Sequence, residues 1–315
     1  IHYGTQAIRG LETYAAPFLI GIGLALLMWA YFTAGGFGEM LSAPSQFIAG
    51  GAKEGQFLAV FGPGLTAMVG FWATMALNIP DFTRFASSQK SHIIGQAIGL
   101  PLPMALFAFI GVAVTSATVS IYGEAIWDPV VLAGKMGGMS VVVALAALTL
   151  ATLTTNLAAN VVAPAYGFSN LRPQAISFKM GGYITAGIGI AIFPWKLLES
   201  AGGYLFVWLV GYSALLGPIA GVLLADYFLL RRCQLNVDAL FMHNSQYGNN
   251  SGWNPAGIIA LLLGIVPSLP GFLHAAGMID EVPAIFDTLY GYAWFVGVFT
   301  AAAIYLLLAN KKSLA

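Results

Sequence analysis

The sequence predicts an all-α integral membrane protein with about eight transmembrane helices, and three observations lead there. Of the 315 residues, 59% are hydrophobic and only 8% are charged, and the mean hydropathy is +0.83, well outside the balance of a soluble domain. Apolar runs long enough to cross a bilayer recur along the chain, separated by polar stretches. Basic residues also alternate in side. With the N-terminus inside, Arg9, Arg84, Lys90, Arg172, Lys179, Arg231, Arg232, Lys311 and Lys312 fall inside, leaving Lys53, Lys135 and Lys196 outside. Nine of the 12 basic residues on one side is the positive-inside bias, and moving any one span would scramble it. The chain is therefore expected in a cell membrane, plasma or inner, as a multi-pass protein with both ends cytoplasmic.

The first span runs from about Ala15 to Phe37, entered through Pro17 and closed by Gly35, Gly36 and Gly38. Ile1 to Glu12 read as the end of a preceding loop, and with no initiator methionine the chain is expected to be a fragment. The second span, Phe57 to Ile79, is ended by Pro80, which withholds a backbone donor. The third, Ile94 to Ile121, carries Pro101 and Pro103 as candidate kink points. The loop from Tyr122 to Gly138 has room for a short helix, and Ser140 to Tyr166 form the fourth span. A short fifth follows from Gly181 to Trp195, a sixth from Tyr204 to Leu230 up to the Arg231–Arg232 pair, a seventh from Pro255 to His274, and the last from Thr288 to Ala309.

The fourth span organises the rest, because its middle is polar without being charged. Thr149, Thr152, Thr154, Thr155, Asn156 and Asn160 lie at a depth where hydrocarbon offers no hydrogen-bond partner, so they must face protein or a wet cavity. At helical spacing Ala151, Thr154 and Thr155 share one face, and Asn156 and Asn160 lie one above the other on an adjacent stripe. Hydroxyls with a helix carbonyl are hard oxygen ligands suited to a small alkali cation, and a carboxamide offers a donor and an acceptor to a heterocyclic amide. The competing reading is interhelical glue, a common use of Ser, Thr and Asn between transmembrane helices. In the second span, Gly70, Phe71 and Trp72 fit a helix interrupted at midplane with an indole as stacking face. The competing reading there is a packing tryptophan.

Several classes are excluded. No basic stripe is present to hold a phosphate backbone, so nucleic acid is not a partner. Cys233 stands alone, which rules out an internal disulfide and a cysteine-rich metal site. The span interiors as drawn are read as free of ionisable residues, and His2, His92, His243 and His274 fall in loops or at span ends. Trp127, Trp195, Trp208, Trp253 and Trp294 read as interfacial belt residues or loop residues. No nucleophile with a base, metal cluster or axial histidine pair can be assembled, so the chain is read as a non-enzyme with no cofactor beyond a coupling ion.

Four co-linear stretches, GFWATMALNIPDFTRF (70–85), IWDP (126–129), ATLTTNLAANVVAPAY (151–166) and LLGPIAGVLLADYFLLRR (215–232), closely resemble the nucleobase:cation symporters. These are secondary transporters of cytosine, uracil, purines, allantoin, hydantoins and related vitamins. The resemblance covers nearly the whole chain. It implies the LeuT-type five-plus-five inverted-repeat fold plus two C-terminal helices, with this chain forming the fifth helix onward. Residues 1–38 would then be the last helix of the first repeat, 57–232 the second repeat and 253–315 the two additional helices. It also implies that Trp72 stacks on a planar substrate, with backbone contacts from Phe71, where the family commonly has glycine. Asn160 would hydrogen-bond the substrate amide, and Ala151, Thr154 and Thr155 would hold Na+ in a sodium-coupled member, Thr154 replacing a serine.

The expected function is thus symport of a flat nucleobase-like or ureide substrate such as allantoin, uracil, cytosine or hydantoin, coupled to Na+ or H+, by alternating access in the lipid bilayer. The alternative from another class is a channel for a small neutral solute.

Overall fold

The computed structural model describes residues 4–193, 195, 203–240 and 254–309, and within them every regular element is helical. His2, His243, Trp253, Lys196, Glu199, Lys311, Lys312 and the polar stretch 241–253 lie outside the described residues. Six helical segments are long and apolar enough to span a membrane: Gly10–Ala34, Phe57–Met75, Gln89–Tyr122, Gly138–Leu171, Phe206–Leu230 and Pro255–Ala275. A seventh is reached if Ala284–Gly291 and Ala293–Leu308, bent by 90° at Tyr292, count as one. The expected fifth span is represented by Phe178–Ala191, whose 14 residues fall short of a bilayer crossing within the described part.

The first helix starts earlier than the sequence suggested. Gly4–Ala34 is one helix of 31 residues, so most of the expected entry loop is helical and Glu12 falls inside the first span. The prolines of the third span sit at a junction. Gln89–Gly99 and Pro101–Tyr122 meet at Leu100, with Pro101 in the first turn of the second segment, where its missing N–H is not needed.

Two compact units form by packing, one of Ile1–Ser45 with Asn78–Ile192, the other of Gln46–Leu77 with Phe193–Ala315. In the first unit, Ala30 of the first helix packs with Ile110, Val114 and Ala117 of Pro101–Tyr122 and with Ile126 and Leu132. The IWDP stretch has a local explanation. Ile126 is a buried anchor whose N–H donates to Thr118 Oγ1 at 2.9 Å. Asp128 caps the Pro129–Met136 helix by accepting from Val130 N at 2.7 Å and Val131 N at 3.3 Å, and Pro129 supplies the preset first φ.

The second unit is built on small residues. In GPIAG, Gly217 and Gly221 bring Val210–Leu224 against the backbone of Ala293–Leu308, and a Cβ at Gly217 would lie 2.6 Å from the Trp294 carbonyl oxygen. From the facing helix, Gly297 returns the fit, its own Cβ position lying 2.5 Å from Pro218 Cδ. Hydroxyls then tie the helices together: Ser213 Oγ donates to Thr66 O at 3.0 Å and Thr66 Oγ1 to Gly291 O at 2.7 Å.

Candidate functional site

The polar-centred span is a single rod of 34 residues made of three parts, α-helical Gly138–Asn156, π-helical Leu157–Val162 and α-helical Ala163–Leu171. At 1.5 Å per residue it is about 51 Å long, more than the roughly 30 Å hydrocarbon core, so its polar middle sits at depth. The sequence explains where the helix widens. Pro164 has no N–H for the carbonyl four residues back, that of Asn160, and its ring crowds that carbonyl, which favours a locally widened helix before it. A π-helical stretch inside an α-helix is frequently a functional position.

Thr149, Thr152 and Thr154 bond back onto their own helix. Thr149 Oγ1 donates to Leu145 O and Thr152 Oγ1 to Leu148 O, each at 2.8 Å. Thr154 is buried, and its hydroxyl donates to Leu150 O at 2.9 Å and to Ala151 O at 3.1 Å. Of the three residues expected to hold a cation, the structure thus joins Ala151 and Thr154 directly, while Thr155 is exposed one position on. A carbonyl and a hydroxyl oxygen 3.1 Å apart can face one small cation if the hydroxyl turns its lone pairs outward. On the adjacent stripe, Asn160 Nδ2 donates to Asn156 Oδ1 at 2.8 Å, as their spacing suggested.

The expected midplane break at Gly70–Trp72 is not found, because Phe57–Asn78 is one unbroken α-helix. Gly70 serves close approach instead. A Cβ there would lie 2.5 Å from the Leu209 carbonyl oxygen and collide with Ser213 Oγ, so only glycine lets the helix meet Leu209 and Ser213. In an intact helix the backbone groups of Phe71 are paired internally, and what Phe71 offers is its exposed ring, set edge-on to Trp72 with centroids 5.5 Å apart. The Trp72 ring is half-buried, and its Nε1 is buried with no hydrogen-bond partner. Buried indole N–H groups normally find one, so this donor fits a group that an incoming acceptor satisfies.

Further motif residues prove to be structural. Arg84 of DFTRF lies over the Tyr166 ring, 4.1 Å from its centroid, and Tyr166 packs on Phe178 at 4.6 Å. Asp226 corrects the expectation that span interiors are free of ionisable residues, since it lies within the Phe206–Leu230 helix. Its Oδ2 accepts from Arg231 Nε at 2.6 Å and its Oδ1 from the Tyr305 hydroxyl at 2.8 Å, and Asn254 Nδ2 donates to that hydroxyl at 3.3 Å. With both oxygens matched, the carboxylate is tolerable near a helix end. The sequence signal was Arg231 five residues on; Tyr305 is 79 residues away and left none.

A family profile described as "Permease for cytosine/purines, uracil, thiamine, allantoin" matches residues 1–297. The purine-uracil permease NCS1 of Arabidopsis thaliana is 45% identical over 311 residues, 98% of this chain and 51% of its own length. An allantoin permease of Bacillus subtilis (strain 168) is 40% identical over 310 residues, 98% of this chain and 60% of its own length. The chain therefore spans between half and two-thirds of these relatives. Among solved structures, the inward-facing conformation of Mhp1 superposes with a TM-score of 0.67 at 22% identity, over 97% of this chain and 62% of that one. Mhp1 in a closed conformation with bromovinylhydantoin bound, described as a nucleobase-cation-symport-1 family transporter, gives 0.66 at 23% identity. This likeness agrees with the LeuT-type fold that the sequence motifs implied.

Proposed function

Because the chain belongs to the family of permeases for cytosine/purines, uracil, thiamine and allantoin, we propose that it is part of a secondary active transporter moving a planar heterocyclic amide across the membrane. The observation that carries this reading is the membrane-spanning rod whose centre is polar, uncharged and locally π-helical at Asn160. Such a centre suits a neutral ligand with amide-like donors and acceptors. As the motif resemblance implies, Asn160 binds the substrate edge and Trp72, with Phe71, meets its ring; the orphaned Trp72 N–H supports a ligand acceptor at Trp72.

The substrate is a nucleobase or a ureide, in keeping with the names of the relatives. Coupling is to a cation, Na+ if Ala151, Thr154 and Thr155 act together and H+ otherwise. The chain's ends face the cytoplasm of a plasma or inner membrane, and the second repeat is 57–232. Transport proceeds by alternating access.

The test is uptake by the full-length protein in sealed vesicles with an imposed Na+ or H+ gradient. Saturable accumulation above the outside concentration, collapsing when the gradient is dissipated, is the expected result. Uptake that does not saturate and only equilibrates, whatever the gradient, would favour a channel and overturn the reading.

A further inference from the structure

Asn156 and Asn160 are four residues apart, and the amide nitrogen of the second donates to the carbonyl oxygen of the first at 2.8 Å. In a regular α-helix such residues differ by roughly 40° around the axis. Immediately after Asn156 the rod becomes π-helical, from Leu157 to Val162, and the wider i→i+5 turn brings a four-residue step closer to one full revolution. The two side chains are thereby brought into line. Both are exposed, so burial does not force them together.

An asparagine amide has one acceptor oxygen and two N–H donors, and on its own it can present either end to a ligand. In the bond to Asn156 one N–H of Asn160 is committed. What remains is Oδ1 with one N–H, in a fixed order. We infer that Asn156 is a positioning residue that locks the Asn160 amide in one orientation, so that the site selects a ring carrying a free N–H beside a carbonyl over its N-alkylated form. The substrate N–H donates to Asn160 Oδ1, and its carbonyl accepts from the remaining N–H. An N-methyl group at that edge has no proton to give and leaves Oδ1 unpaired. This inference rests on the proposed role of Asn160 as a substrate ligand.

The experiment uses the full-length protein and whichever of uracil, allantoin or a 5-substituted hydantoin it binds, paired with the mono-N-methyl derivatives of that compound. The readout is the ratio of the two affinities, which a residue serving only to support the helix would not move. Asn156→Leu, which removes the acceptor at similar size, is expected to weaken binding of the N–H form by about 3- to 12-fold and to lower the ratio by a similar factor. Asn156→Asp keeps an acceptor oxygen at the same place and is expected to preserve the ratio. An unchanged ratio in Asn156→Leu overturns the inference, even if both affinities fall together, and so does loss of the ratio in Asn156→Asp. If Asn156→Leu does not reach the membrane folded, Asn156→Ala removes the same bond and is read in the same way. Asn160→Ala separates the two levels. If it leaves binding untouched, the substrate role itself fails; if it weakens binding while Asn156→Leu leaves the ratio alone, only the positioning role fails.

Discussion

Replacing Trp72 distinguishes a binding tryptophan from a packing one, because two effects of the change have opposite signs. In the ligand-free protein the buried Nε1 has no acceptor, and an unpaired buried donor costs about 1 to 3 kcal/mol. Trp72→Phe deletes that donor. It also trims a half-buried ring, a loss of roughly 20 Å² of apolar contact or about 0.5 kcal/mol at 25 cal/mol per Å². The net expectation is a gain of about 0.5 to 2.5 kcal/mol in ligand-free stability.

Binding should move the other way. Phenyl keeps a stacking face but gives no hydrogen bond to a ligand acceptor, so affinity should fall about 2- to 12-fold. Trp72→Ala removes the face as well. Base stacking on an aromatic is worth about 1 to 3 kcal/mol, which corresponds to roughly 5- to 150-fold. The assays are thermal unfolding in detergent without ligand and equilibrium binding of radiolabelled substrate, both on the full-length protein. A Trp72→Phe protein that is less stable than wild type and binds equally well would show the indole to be packing. Wild-type affinity in Trp72→Ala would refute the stacking role outright.

Gly221→Ala should destabilise by about 1 to 3 kcal/mol, because the new Cβ collides with the Val298 carbonyl, a backbone atom that cannot rotate away; chemical denaturation in mixed micelles checks this. Tyr305→Phe leaves Asp226 Oδ1 without its 2.8 Å donor and should cost about 1.5 to 3 kcal/mol, and Asp226→Asn should cost at least as much, because its single carboxamide oxygen can accept from Tyr305 or Arg231 but not both and its NH2 then faces the other donor. A smaller cost for Asp226→Asn than for Tyr305→Phe in a stability measurement would show that the ion pair with Arg231 adds little beside the tyrosine. Thr154→Val should fold normally, since the hydroxyl is satisfied by Leu150 and Ala151 of its own helix. If Thr154 and Thr155 hold the cation, this change and Thr155→Val should each raise the ion concentration for half-maximal uptake, with substrate affinity near wild type at saturating ion. Unaltered ion dependence in both would remove the threonines from the coupling site.

The fold class was readable because a bilayer imposes a length and a composition that any spanning helix must meet. The stacking of Asn160 on Asn156 was readable too, being a local consequence of helical spacing. A glycine before two aromatics, as at Gly70, has the local pattern of a helix interruption. The reason for Gly70 is the Leu209 carbonyl, 139 positions along the chain and invisible to any local pattern. The π-helical stretch did leave a trace, since Pro164 four residues after Asn160 removes one α-helical bond at that point. The partners of Asp226 leave no local pattern, since the tyrosine and asparagine of its network lie much later in the chain.

The polar groups of the spans divide by what satisfies them. Ser213, Thr66 and Asp226 each reach across to another helix and find a partner within 3.0 Å. Exchanging any of them for an apolar residue loosens packing, which is the signature of glue. Thr149, Thr152 and Thr154 of the central rod are satisfied within their own helix and so contribute little to holding helices together. Pairing alone is not a sufficient criterion, since Ser116 and Ser268 are buried without partners as well. A serine hydroxyl, however, is small and rotates to suit a chance neighbour, whereas an indole N–H points in one fixed direction. Among the described residues, a tryptophan whose donor is unmatched and an asparagine whose amide nitrogen is engaged while its oxygen stays available are therefore consistent with the proposed ligand of defined donor and acceptor order.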